Sequence, residues 1–339
     1  MRRAIVLLNL GGPLAKKDIA PFLFNFFMDK NIVGVPLPLR YLLAKWISYK
    51  RARGAGGSAY SHLNYKSPLL DNTGAQAAAL ENILREQGCE AQVFVSMRYW
   101  HPLSLAVARA VKTYNPDEIV LLPLYPQFST TTTKSSFEDW DRAARKVGLK
   151  KPTRKIGCWP ILEGFISASA DNIREALKQA PANVRLLFSA HGLPEKIIHA
   201  GDPYQRQGEK TVAAIVDKLA LPDLDWEICY QSRVGPLKWI GPSTDEALEK
   251  AALDKKSVVV YPHAFVSEHV ETLVEIDMDY RRQAGALGIP YFGKATTVGT
   301  HPDFIAGLAA LVLGETKGRC FQAGSALCCE KYGKQSCNS

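Results

Sequence analysis

Val258-Val-Val-Tyr-Pro-His-Ala-Phe-Val-Ser-Glu-His-Val-Glu-Thr-Leu-Val-Glu-Ile-Asp277 passes from an apolar strand into a helix-like pattern. Glu268, Glu271, Glu275 and Asp279 fall at steps of three, four and four, which places them on one face of an α-helix with His269 beside the row. Carboxylates packed this closely repel one another unless a cation or water lies among them. Most acidic rows are solvated helix faces. This one follows directly on a strand, and sites in parallel α/β proteins gather beyond the carboxyl ends of strands. The row therefore reads as a place where Glu and His handle a divalent metal.

Working outward, apolar runs alternate with helical patterns along the whole chain, the mark of α/β architecture with a parallel sheet. Strands are predicted at 4–9, 91–97, 118–124 and 153–157, then at 184–189, 226–230, 257–262 and 290–295. The two sets of four echo each other. Val6-Leu-Leu-Asn-Leu-Gly-Gly-Pro13 resembles Leu187-Phe-Ser-Ala-His-Gly-Leu-Pro194, Ser96-Met-Arg-Tyr-Trp-His-Pro102 resembles Ser232-Arg-Val-Gly-Pro236 with Arg98 matched to Arg233, and Tyr125-Pro126 resembles Tyr261-Pro262. Three echoes in one order suggest a duplicated domain. The expected architecture is two Rossmann-like domains, 1–157 and 158–312, each with a four-stranded parallel sheet flanked by helices, followed by a cysteine-rich tail at 313–339. Aligning the Gly-Pro turns sets Leu10 opposite His191, so ionisable chemistry is concentrated in the second half. His191 ends a strand and precedes Gly192, where the missing side chain would let a ligand approach.

At 339 residues, with 47% hydrophobic and 22% charged residues, the chain has the composition of a soluble globular protein of two ordinary domains. No apolar run approaches the length needed to cross a bilayer. Met1-Arg-Arg-Ala-Ile-Val-Leu-Leu8 mimics the start of a signal peptide, but Asn9 and Gly11-Gly12-Pro13 interrupt it, so it reads as the first strand of a cytoplasmic protein. The net charge of +9 is uneven: no acidic residue lies between Asp29 and Asp71, a stretch holding Lys30, Arg40, Lys45, Lys50, Arg51, Arg53 and Lys66 with Leu42, Leu43 and Trp46 among them. Basic charge mixed with apolar surface suits an anionic, greasy partner, and peripheral contact with the inner face of the cytoplasmic membrane is expected there. No nucleic-acid motif is present, and none is expected as a partner. Gly11-Gly12-Pro13 lacks the third glycine of a dinucleotide fingerprint.

Leu8-Asn-Leu-Gly-Gly-Pro13, Arg98-Tyr-Trp-His-Pro102, Tyr125-Pro-Gln-Phe-Ser129, Ser189-Ala-His-Gly-Leu-Pro194, Tyr230-Gln-Ser-Arg-Val-Gly-Pro236 and Phe265-Val-Ser-Glu-His-Val-Glu-Thr-Leu273 occur in this order. Together they resemble the ferrochelatase family over almost the whole length. The resemblance implies insertion of ferrous iron into protoporphyrin IX, the last step of haem synthesis, in a cleft between two Rossmann-like domains. It implies His191 at the ring centre as proton acceptor or iron ligand, with Glu271 as its partner carboxylate. Imidazole nitrogen and carboxylate oxygen suit Fe(II) and leave coordination positions open for transfer. Glu268, His269 and Glu275 would extend a path for iron or protons. Arg98, Tyr99, Tyr125 and Trp239 match porphyrin-lining positions, with Trp239 offering a face to the ring and Arg98 or Ser67 holding propionates.

Animal members carry an iron–sulfur cluster on three tail cysteines and one in the loop after Tyr-Pro-Gln. Thr130 stands at that loop position here, and the tail offers Cys320, Cys328, Cys329 and Cys337. Four thiolates suffice for a [2Fe–2S] cluster, the expected cofactor, and zinc fits the same inventory. Two rival readings are a chelatase of this fold acting on coproporphyrin or inserting cobalt, and a two-lobed metal or haem carrier without turnover. A carrier of that kind would be expected to have an export signal.

Overall fold

The computed structural model describes residues 1–232 and 237–315, so Arg233 and the four tail cysteines lie outside the described residues. The first sheet comprises β1 (Arg3–Asn9), β2 (Ala91–Met97), β3 (Glu118–Pro123) and β4 (Thr153–Lys155) in the order β2-β1-β3-β4. The second comprises β5 (Val184–His191), β6 (Asp225–Gln231), β7 (Ser257–Pro262) and β8 (Phe292–Lys294) in the order β6-β5-β7-β8. Every pairing is parallel. All eight predicted strands are present and the two sheets repeat one topology. β4 and β8 are shorter than the apolar patterns suggested, and β5 runs two residues further, so that His191 is its last residue.

The strand register corrects two of the three echoes. Leu8 pairs with Pro123 and Ser189 pairs with Pro262, so Leu10 and His191 each stand two residues beyond equivalent positions. By the same register Pro123, not Pro126, is the counterpart of Pro262. After β2 and β6, Met97 N–H donates to Pro102 (2.8 Å) and Tyr230 N–H to Pro242 (2.9 Å). Arg98 is therefore the counterpart of Gln231, not of Arg233. Short motifs slide because a Tyr-Pro pair carries little information, whereas a hydrogen-bonded ladder admits one register where both faces are buried.

The central strands are almost wholly buried, as expected of parallel sheets covered by helices on both faces. One apolar cluster spans both halves. Ile5, Leu7, Val120 and Leu122 of the first sheet join Leu186, Phe188, Val259 and Tyr261 of the second through Trp159, Phe165, Phe304 and Leu308. Helices Glu163–Lys178 and Pro302–Leu313 build this junction. They meet so closely at Gly164 that a Cβ there would stand 2.0 Å from the Asp303 carbonyl oxygen. The division at 157/158 thus falls between the sheets, while the core is continuous across it.

Candidate functional site

His191 closes β5, and its backbone partner across the ladder is Gln231 at the end of β6. The imidazole Nδ1 lies 2.6 Å from the Gly192 carbonyl oxygen. A carbonyl can only accept, so Nδ1 carries the hydrogen and Nε2 presents a lone pair. His269 follows the same rule: its Nδ1 lies 3.2 Å from the Ser267 carbonyl, and its Nε2 is 3.8 Å from Glu271 Oε2. Backbone carbonyls therefore hold both rings by Nδ1–H and leave Nε2 as the atom open to other contacts.

The segment after β7 departs from the predicted α-helical face. Residues Glu271–Tyr280 form a π-helix, with Glu268 and His269 before its start. In i→i+5 winding, residues four apart still stack while those three apart diverge, so Glu268 leaves the predicted row while Glu271, Glu275 and Asp279 stay aligned along the helix. Asp279 turns to Arg282 at the surface, 2.8 Å away. Glu271 Oε2 is buried without a hydrogen-bond partner. Burial works against charge on Glu271, but His191, His269 and Gln231 outweigh it and hold its carboxyl below the usual range. Burial and then the Glu271 charge push the Glu275 carboxyl upward, although Ser232 donates to it at 2.6 Å. Tyr280 donates to its other oxygen at 3.4 Å. The two carboxyls behave as a pair shifted apart, in which the charge is favoured on Glu271 over Glu275.

Glu268 occupies a different setting from the iron or proton path expected of it. Both its oxygens receive Lys294 Nζ, at 2.9 and 3.0 Å, and Oε1 also receives the Thr297 N–H at 2.9 Å. The Lys294 side chain is only 6% exposed, so this is a buried ion pair committed to structure. The first half clamps the same loop. Asn72 Nδ2 donates to the Glu268 carbonyl (2.8 Å), and Gln76 Nε2 donates to the Val266 (3.0 Å) and Gly299 (2.8 Å) carbonyls. Tyr60 of the first half is near enough that the Glu271 charge, after burial, raises its phenol. The acid pair thus sits where the two halves meet.

The predicted porphyrin contacts divide. Trp239 is half-buried and bridges Pro194, while Ile240 N–H donates to the Leu193 carbonyl at 3.0 Å, which brings this segment against the loop after His191. Arg98 is not a free propionate holder. It donates to Asp29 (2.9 Å) and Ser135 (2.7 Å) and lies 3.8 Å from Asp139. Tyr99 is fully buried, and its hydroxyl donates to the same Asp29 oxygen at 2.8 Å, as does that of Ser135. Ser67 is likewise interior: its hydroxyl oxygen accepts from Leu69 N–H (3.3 Å), and a Cβ on Gly12 would stand 2.6 Å from it. The Tyr125 hydroxyl is buried without a geometric partner. Thr130 begins a short π-helical turn, Thr130–Lys134, and is tied to Asp202 across the domain junction.

Sequence reasoning missed Asp29, Tyr60, Asp202, Tyr204, Gln231, Ser232 and Lys294. Two of them were within view: Gln231 and Ser232 belong to the quoted 230–236 motif. Asp29 is the last acid before the acid-free stretch, a signal of where that charge would be needed. Among the described residues no three His, Cys, Asp or Glu side chains gather to hold a metal ion.

The ferrochelatase family profile matches residues 2–316. A ferrochelatase of Caulobacter vibrioides (strain NA1000 / CB15N) is 48% identical over 341 residues, covering 98% of this chain and 97% of its own. One from Phenylobacterium zucineum (strain HLK1) is 46% identical, covering 100% of this chain and 99% of its own. Among solved structures, SirB from Bacillus subtilis with Fe3+ superposes with a TM-score of 0.53 at 13% identity, over 92% of this chain and 95% of that one. The sirohydrochlorin chelatase SirB of Bacillus subtilis subspecies spizizenii with cobalt gives 0.51 at 14%, over 91% and 92%. These structures share the chelatase fold. Family match and sequence identity over nearly the full length agree with the strand-end chemistry, and the chain belongs to the ferrochelatase family.

Proposed function

We propose that His191, Glu271 and Glu275 are the groups with which this ferrochelatase exchanges two porphyrin protons for Fe(II), making protohaem from protoporphyrin IX in the terminal step of haem biosynthesis. The observation that carries the assignment is that His191, whose Nδ1 is held by Gly192, lies near enough for its charge to lower the Glu271 carboxyl, one oxygen of which has no hydrogen-bond partner. Iron enters the ring only as the two inner N–H protons leave. His191 Nε2 accepts one because Nδ1–H is held by Gly192. The imidazolium hands this proton to the Glu271 carboxylate, which passes it outward through Glu275, so that Nε2 is free again to accept the second. His269 Nε2 and Glu271 Oε2 offer nitrogen and oxygen donors suited to Fe(II) on its way in. Trp239 supports the ring. Anaerobic protein mixed with protoporphyrin IX and Fe(II) should shift the Soret band to that of protohaem. His191→Ala should bind porphyrin without that shift, and near-normal turnover in it would overturn the assignment. Parallel runs with coproporphyrin measure the choice of substrate.

Two further parts of the reading concern partners. No helix among the described residues is long and apolar enough to cross a membrane. Helix Leu37–Arg53 buries only Ala44 and Ser48 and exposes Leu37, Leu39, Leu42 and Trp46 (61% exposed) beside Lys45 and Lys50. This face would rest on an anionic bilayer, peripherally and from the cytoplasmic side. The tail thiolates Cys320, Cys328, Cys329 and Cys337 supply the four ligands of a [2Fe–2S] cluster. A red-brown anaerobic preparation bleached by Cys329→Ser supports it; a colourless one holding one zinc replaces it with a structural metal.

A further inference from the structure

The helix Tyr204–Leu219 of the second half is held by the first-half loop 127–130. Gln127 Nε2 donates to Thr211 Oγ1 at 2.9 Å, and Phe128 N–H donates to Gln207 Oε1 at 2.7 Å. The third and densest contact is Asp202, just before that helix and 5% exposed. Its Oδ2 accepts from Thr130 N–H (2.7 Å), Thr130 Oγ1 (2.7 Å) and Ser129 Oγ (3.1 Å), and its Oδ1 accepts from Tyr204 N–H (3.1 Å). Hydrogen bonds from both halves thus converge on this buried carboxylate. Tyr204 then donates its hydroxyl to the His191 carbonyl at 3.1 Å. Burial raises the Tyr204 phenol far above its ordinary value, so it remains a donor at any working pH.

We propose that Asp202 and Tyr204 are positioning residues for His191, carrying the placement of the first-half loop to the imidazole in the second half. The argument rests on the His191 assignment above and adds to it a route. The loop fixes Asp202, Asp202 fixes the first turn of the helix, and Tyr204 fixes the peptide whose side chain presents Nε2. Thr130 stands where the animal pattern has a cluster cysteine; in this chain its amide and hydroxyl serve the inter-domain clasp. A general base must lie within hydrogen-bond reach of the proton it takes, so small displacements of the peptide reach the rate directly.

The test is steady-state kinetics of the full chain with 15N NMR of labelled histidine. Tyr204→Phe removes one neutral hydrogen bond and should lower kcat roughly five-fold with the porphyrin KM unchanged. Thr130→Val, which keeps the amide donor, should lower kcat by roughly three-fold, and Asp202→Asn by on the order of ten-fold. In Tyr204→Phe the His191 ring nitrogens should move toward a tautomer mixture, a change that a merely stabilising contact would not produce. Unchanged kcat and ring shifts in Tyr204→Phe, with His191→Ala inactive, would sink this proposal and leave the His191 assignment standing. Full activity of His191→Ala would instead remove the assignment itself. A rise in porphyrin KM at constant kcat would make Tyr204 a substrate contact and overturn the positioning role.

Discussion

The two halves share one sheet order and one register, yet they treat charge in opposite ways. In the first half, Arg98 stands where the second half has Gln231, and its charge is closed on Asp29, Tyr99 and Ser135. The π-helical turn after β3 carries Thr130 to Thr133 and Lys134, neutral hydroxyls with a single charge. In the second half, Leu10 is replaced by His191 and the π-helix after β7 carries Glu271 and Glu275. There the charges do not close: one Glu271 oxygen has no hydrogen-bond partner and the Glu275 carboxyl is pushed upward. Satisfied buried charges hold structure together, whereas unsatisfied ones are where protons and cations come and go. The same frame closes its charges on one side and leaves them open on the other.

The sharpest way to break this contrast is to disarm the second half. His191→Ala should lower turnover at least ~10²-fold, the usual cost of losing a general base, while porphyrin binding by fluorescence quenching persists. Glu271→Gln should cost nearly as much and Glu275→Gln distinctly less, measured by Soret kinetics. Equal small losses for both carboxyls would return the pair to a solvated face.

Closed networks should fail differently. Asp29→Asn strands Arg98 and Glu268→Gln strands Lys294, so each should lose about 2 kcal/mol of folding stability in urea, with catalysis per folded molecule less affected. For Glu268 the sign with pH is definite. Burial works against its charge, but Lys294 and the Thr272 and Thr297 hydrogen bonds outweigh it and lower its carboxyl. Its contribution is therefore present at neutral pH and lost as the pH falls below the unfolded value of ~4.3 toward the folded one. Glu268→Gln should flatten that acid limb. Glu275 has the opposite sign, since its raised carboxyl makes ionisation costly in the fold. Glu275→Gln, a mimic of the protonated acid, should leave stability at neutral pH equal or slightly higher.

The smallest effect on chemistry is expected at the first-half surface. Lys45→Glu combined with Lys50→Glu should reduce flotation with anionic liposomes at low salt and leave turnover in detergent unchanged. High salt should erase the difference, since exposed charges are screened over ~8 Å at physiological strength. No flotation of the parent protein at low salt would leave the exposed helix to another partner.

Much of this was legible in the residues themselves. The eight strands follow from apolar runs between helical patterns, because burial of a parallel sheet demands continuous apolar sequence. His191 and Glu271 were named from motif order; His191 ends β5 and Glu271 opens the π-helix after β7, near enough for the imidazole charge to lower its carboxyl. The π-helix was not legible: a row at steps of three, four and four fits an ordinary helix, and nothing in those residue types announces i→i+5 bonding. Nor was the split in the acidic row, because Glu268 is claimed by Lys294 from a strand 26 positions on. Arg98 and Ser67 looked available for propionates since a motif names a residue type but not what already occupies its hydrogen bonds.

By itself the sequence determined the strand set, the duplication, the half that carries ionisable chemistry and the family. Local apolar periodicity and short motifs encode those directly. Only tertiary structure decided which charges are cancelled and which are left open. Ion pairs such as Arg98–Asp29 and Lys294–Glu268, and the contacts Thr130–Asp202 and Tyr204–His191, join residues between 13 and 72 positions apart. Electrostatic partnership depends on distance and burial in space, and the linear order of residues carries neither.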